Sequence, residues 1–138
     1  MKILVSRCLL GENCRYKGDN CKNEKVLALG KEHELIGVCP EVDGGLSTPR
    51  LPAERVGDKV VASDGRDVTK EYLLGANLAL QKAKENCVDF CVFKAKSPSC
   101  GCGLIYDGTF GGKLVEGNGV TSELFLKNGY TVKTEETL

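Results

Sequence analysis

The stretch TKEYLLGANLALQKAKENCVDFCVF, residues 69–93, decides the fold. In its first part Tyr72, Leu73, Ala76, Leu80 and Ala83 recur at helical spacing among Lys, Glu and Gln, which predicts an amphipathic helix from Thr69 to about Glu85. Asp67 or Thr69 can cap it. Its second part, Val88 to Phe93, is a short apolar run of strand length with no polar alternation over its last residues, as in a strand buried on both faces. A long helix running into a buried strand is the crossover unit of a parallel sheet, because parallel neighbours need a connection of about a dozen residues or more. Outward on the N-terminal side, Lys2 to Ser6 and Leu35 to Val38 are further short apolar strands. A helix capped by Asn23 and running to about His33 lies between them. Outward on the other side come a helix over Thr121 to Asn128, ended by Gly129, and a strand over Tyr130 to Lys133. Two small hairpins complete the pattern. One pairs Lys59–Ala62 with Asp67–Val68; the other lies within Leu104–Val115, around Asp107-Gly108 and Gly111-Gly112. Glu41 to Arg55, holding Gly44-Gly45, Pro49 and Pro52, reads as a long loop. This order predicts an α/β fold: a single three-layer domain over residues 1–138, a mostly parallel sheet flanked by helices, plus two small β-hairpins.

Composition narrows the function. The 138 residues are 41% hydrophobic and 28% charged, a globular balance and not a disordered one. Nineteen Lys+Arg against nineteen Asp+Glu give zero formal charge, which argues against a protein that wraps nucleic acid. No apolar run approaches the ~20 residues of a bilayer span, so no membrane partner is expected. The apolar run before Arg7 is too short for a secretory signal, and a cytoplasmic location follows as the expectation. Eight Cys in so short a chain then point to a metal or cluster site or to thiol chemistry, since stable disulfides are rare in that compartment.

Where the cysteines fall gives the main inference. Cys8 follows the first strand, Cys39 follows the second, and Cys100 lies in the loop leaving the third, each with Gly or Pro nearby. In a parallel sheet these are carboxyl ends, which share one edge, and ligand sites of open α/β sheets form there. Three thiols distant in sequence therefore meet by topology. Thiolates suit Zn²⁺ and iron–sulfur clusters alike. The paired C-x-x-C of structural zinc sites is absent, and single ligands on separate loops fit a 4Fe–4S cluster with three protein ligands better, its fourth iron open to substrate. Cys87 and Cys91 read as small core residues. Cys14 and Cys21 could each be a fourth ligand, Cys14 being nearer Cys8, although a structural thiol is the favoured reading of it; Cys102 could compete with Cys100, and the lone His33 reads as a solvated side chain. No C-x5-R cradle, G-x-G-x-x-G or P-loop is present, so those modes of phosphate binding have no support.

The segments Val5-Ser6-Arg7-Cys8-Leu9-Leu10-Gly11, Asn13-Cys14-Arg15-Tyr16-Lys17-Gly18, Val38-Cys39-Pro40-Glu41, Gly44-Gly45-Leu46-Ser47-Thr48-Pro49-Arg50, Lys96-Ser97-Pro98-Ser99-Cys100-Gly101 and Tyr106-Asp107-Gly108-Thr109-Phe110 resemble domain-of-unknown-function family 523, which includes the thiouracil desulfurases (TudS-like). The resemblance runs from residue 3 to about 133. It implies a 4Fe–4S cluster on Cys8, Cys39 and Cys100, and catalytic roles for Glu41 and Ser97. The sequence departs from the family pattern at Arg7, where Ala is commoner, and at Cys102, where a small residue is. The implied reaction is desulfuration of a small thiolated nucleobase or nucleoside such as 2-thiouracil. Glu41 is the candidate base for the attacking water and Ser97 the candidate donor that orients the ring. The bland reading of Glu41 is a loop carboxylate paired with Arg50. The alternative function is a non-enzymatic metal or iron–sulfur module for sulfide storage or redox sensing, with Cys14 or Cys102 closing the site. Nothing in the sequence sets the oligomeric state.

Overall fold

The computed structural model describes residues 1–138 in full. Strands β1 (Lys2–Ser6), β2 (Glu34–Val38), β5 (Phe90–Phe93) and β8 (Val132–Thr134) form one sheet in the order β2-β1-β5-β8. Every pairing in it is parallel, with Val5 of β1 opposite Gly37 on one side and Val92 on the other. The helices are α1 (Glu24–Leu29), α2 (Pro40–Asp43), α3 (Thr69–Asn86) and α4 (Val120–Lys127). Two antiparallel hairpins, β3 (Ala53–Val56) with β4 (Lys59–Ala62) and β6 (Leu104–Tyr106) with β7 (Leu114–Glu116), stand apart from the sheet.

Strand alternation sorts the core into two faces. Leu4, Cys91 and Phe93 point to the side covered by α3 and α4, where they meet Ala79, Leu80, Ala83 and Phe125. Ile3, Val5 and Val92 point to the other side, where they meet Val26 of α1 and Leu9. Burying one such aliphatic side chain contributes on the order of 1.5–3 kcal/mol, so a one-residue slip that exchanged the faces would be strongly penalised. The three-layer parallel fold expected from the sequence is the observed one. No helix is long and apolar enough to cross a membrane.

Three local expectations are corrected. Glu41–Arg55 is not a continuous loop: Pro40, read as a strand stop, is also the first residue of α2, where its missing N–H costs nothing. The first hairpin pairs Lys59–Ala62 with Ala53–Val56, and Asp67 keeps a single bridge to Val61. Gly57, at φ +61, lets the chain reverse between β3 and β4. The last strand starts at Val132, because Tyr130 packs its ring on Phe125 at 5.3 Å between centroids.

Candidate active site

At the carboxyl edge of β2, β1 and β5 a cavity of about 450 Å³ opens, lined by Cys8, Cys14, Cys39, Cys100, Glu41 and Ser97 among others. Each element delivers one thiol. β1 ends at Ser6 and passes into a 3₁₀ turn over Arg7–Leu10, which carries Cys8. β2 ends at Val38, and Cys39 is the N-cap residue of α2, its N–H bonded to Asp43 Oδ2 at 3.2 Å. Beyond β5 the chain runs to a turn in which the Ser97 hydroxyl oxygen accepts the N–H groups of Ser99 and Cys100, both at 3.1 Å. The start of α4 clamps this turn from behind, with Val120 N–H on Pro98 O at 2.9 Å and Ser122 Oγ on Cys100 O at 2.7 Å.

The four cavity thiols are in mutual contact or electrostatic reach. Cys14 stands against both Cys8 and Cys39, and Cys39 Sγ lies 3.8 Å from the Cys14 carbonyl oxygen. The contact with Cys39 draws the Cys14 pKa down, but Cys8 and burial outweigh it and push it up to about 12. Contact with Cys14, then burial, holds Cys39 far above the ordinary thiol range. Burial pushes Cys100 up to about 12. As free thiols Cys14, Cys39 and Cys100 keep their protons at neutral pH, and thiolate ligation displaces such protons. No three His, Cys, Asp or Glu side chains stand close enough to share a single metal ion. Soft donors on separate loops around a roomy cavity fit a larger thiolate-bound iron–sulfur group.

Beside the thiols sits a polar group centred on Glu41. Its Oε1 accepts from Arg50 Nε at 3.2 Å and from Tyr72 Oη at 2.9 Å, and lies 3.1 Å from Arg50 Nη2. Its Oε2 receives only the Ser97 hydroxyl, at a long 3.5 Å. Arg50 also donates to the Cys14 carbonyl at 3.0 Å and to Ser47 O at 3.1 Å, which ties the Cys14 loop to the Glu41 carboxylate. The pairing with Arg50 that the bland reading anticipated is present, and Glu41 nonetheless lines the cavity. Tyr16, Tyr106 and Phe110 add flat apolar faces to the wall, and Lys94 and Lys96 add positive charge.

Cys87, Cys91, Cys102 and His33 fall outside the cavity, whereas Arg7 lines it. Cys102 does not line the cavity; its Sγ lies 3.9 Å from Val132 O. Cys91 is buried in the core under α3 as expected, whereas Cys87, expected in the core too, is exposed, because it is the left-handed cap residue that ends α3; His33 does not line the cavity. Arg7 turns its guanidinium onto Glu12 (2.6 Å) and Asp43 (3.2 Å), so the cation that departs from the family pattern is neutralised. Tyr72 was readable only as a core position of α3. A phenol among Ala and Leu is a signal in itself, because a buried hydroxyl requires a partner.

Comparison with known proteins agrees with this geometry. The chain is 44% identical over 146 residues to the uncharacterized protein YbbK of Bacillus subtilis (strain 168), covering 99% of this chain and 97% of that one. It is similar to a solved 4Fe-4S-dependent thiouracil desulfidase, TudS, with a TM-score of 0.94 at 45% identity, covering 99% of this chain and 92% of the other. The sequence model of the 2-thiouracil desulfurase family matches residues 3–137, which includes all the cavity residues named above. The chain belongs to the 2-thiouracil desulfurase family.

Proposed function

We propose that the protein is an iron–sulfur-dependent desulfurase that hydrolyses the carbon–sulfur bond of a thiolated pyrimidine such as 2-thiouracil. The observation that carries this is the meeting of three strand-end thiols, a carboxylate and a hydroxyl on one cavity wall. The family and the similar 4Fe-4S-dependent desulfidase support it. Cys8, Cys39 and Cys100 are the three ligands of this reading. When bound, a cluster held by three cysteines supplies an open iron, a soft Lewis acid for the thiocarbonyl sulfur.

The chain's own residues do the rest. Arg50 and Tyr72 fix Glu41 Oε1, and Oε2 takes the proton of a water directed at the ring carbon. The Ser97 oxygen is engaged by two backbone N–H groups, so its own proton is left to point towards Glu41 or an incoming ring. Tyr16, Tyr106 and Phe110 offer faces on which a flat pyrimidine can stack. The cavity is of the size usual for small-ligand sites, roughly 300–1,000 Å³. Water enters and hydrogen sulfide leaves as C=S becomes C=O, so the reaction balances without electron transfer. The substrate class is a small thiolated base or nucleoside.

Anaerobically reconstituted protein releases sulfide from 2-thiouracil in this account. Cys39→Ala abolishes the release and Cys87→Ala leaves it intact; equal activity of both variants overturns the ligand set. The non-enzymatic reading needs a fourth protein ligand, and Cys14, beside Cys8 and Cys39, is the residue placed for it. A Cys14→Ser variant that binds the cluster and turns over at the parental rate removes that alternative.

A further inference from the structure

We propose that Tyr72, on α3, is a positioning residue for desulfuration: its phenol holds one oxygen of Glu41 and so presents the other to Ser97 and the cavity. The inference rests on the reading of Glu41 as the base. The ring of Tyr72 is 1% exposed and belongs to an apolar cluster with Val60, Ala62, Val68, Ala76 and Val120. A phenylalanine ring would satisfy that cluster equally. What the hydroxyl adds is one bond, to Glu41 Oε1 at 2.9 Å, across 31 residues of sequence.

The bond has a direction. Burial, and then the neighbouring Glu41 carboxylate, hold the phenol well above its ordinary pKa. Tyr72 is therefore a neutral donor to Glu41 at any working pH. Arg50 reaches the same oxygen. Oε1 is thus saturated by two donors, and Oε2, with only the 3.5 Å contact to Ser97, is the oxygen left to accept a proton. The same helix fixes the backbone beneath Glu41. A Cβ on Gly75, three residues along α3, would stand 1.7 Å from the Pro40 carbonyl oxygen, so α3 lies directly against the Cys39–Glu41 segment. α3 carries none of the cavity cysteines, yet it sets both the height and the rotation of the carboxylate.

The test uses the full chain, reconstituted with iron and sulfide without air, and compares Tyr72→Phe with Glu41→Gln on 2-thiouracil. Glu41→Gln is expected to lower kcat by about 100-fold or more. Tyr72→Phe is expected to lower kcat by roughly tenfold, because a misplaced general base loses rate steeply with displacement. Its KM, iron content and melting temperature should stay at parental values. A crystal structure of iron-free Tyr72→Phe should show the Glu41 carboxylate turned from its place beside Ser97. Parental kcat in Tyr72→Phe with Glu41 unmoved overturns the inference and leaves the base in place. Loss of iron, of melting temperature or of folding in that variant overturns it too, since the hydroxyl is then structural. Parental activity in Glu41→Gln removes the base itself, and the role of Tyr72 with it.

Discussion

The reactivity of each thiol follows from what surrounds it. Cys87 is exposed at the end of α3, whereas Cys14 and Cys100 are buried with pKa values of about 12, and Cys39 is held higher still by Cys14 and burial. A raised thiol pKa means the neutral, unreactive form persists to higher pH. Iron-free protein treated with iodoacetamide at pH 8 should therefore be labelled first at Cys87. Labelling at Cys14, Cys39 and Cys100 should lag, and climb roughly tenfold per pH unit as the thiolate fraction grows. Mass spectrometry of the peptides reads this directly, and equal labelling of Cys39 and Cys87 at pH 8 contradicts it. At this scale the cysteines were legible because position after a strand is a property of sequence. Tyr72 was not: its place on the apolar face of a helix is visible from spacing, but its bond to Glu41 exists only once α3 lies against α2. Cys102 was misplaced for a related reason. Two residues past Cys100 the chain has already turned away towards β8, and spacing alone does not show that turn.

Close contacts between elements hold the site together. Gly75 is the narrowest point between α3 and α2, and Gly44 approaches Glu71 O from the other side, where a Cβ would stand 2.0 Å away. Both obstacles are backbone and cannot swing aside. Gly75→Ala should thus cost on the order of 1–3 kcal/mol or more by overpacking. It should also push Cys39 and Glu41 out of register, so that iron binding and sulfide release fall together. A variant with parental melting temperature and activity would show the contact to be slack. The β3–β4 hairpin is tied to α4 by the Arg55–Glu123 ion pair. The hydrogen bond from Arg55, the largest cause, holds the Glu123 carboxyl below its ordinary value of 4.5. A depressed folded-state pKa contributes stability above the unfolded value, and that contribution is lost as pH falls through the folded value. The melting-temperature advantage of the parent over Glu123→Gln should accordingly be constant near neutrality and shrink below about pH 4.5. Curves that stay parallel down to pH 3 contradict the pairing. The long helix and the apolar strands were legible because their periodicity extends over many residues. α2 has four residues, too few to show any period, and β3 sets Glu54 and Arg55 side by side between Ala53 and Val56, without the period-two alternation of a strand, so both hid inside an apparent loop.

At the scale of the whole molecule the parallel sheet explains the site. Three strands running the same way release their chains at one edge, and Cys8, Cys39 and Cys100 meet there although the first and last stand 92 positions apart in the sequence. The convergence was legible from strand order, and so was the pairing of Glu41 with Arg50; the bond of Tyr72 to Glu41 and the hold of Arg50 on the Cys14 carbonyl were not, since they depend on how α3 and the Cys14 and Arg50 loops fold over the edge. The central claim is that the thiols hold an iron–sulfur cluster with one position open to the sulfur of the substrate. Mössbauer spectroscopy of anaerobically reconstituted, iron-57-enriched protein, recorded before and after 2-thiouracil is added, tests it most directly. The account predicts about four irons per chain, one of which changes its signal when the thiolated base binds and keeps it when uracil is added instead. Four irons that ignore both compounds, or a site that accepts zinc and no iron, would contradict it.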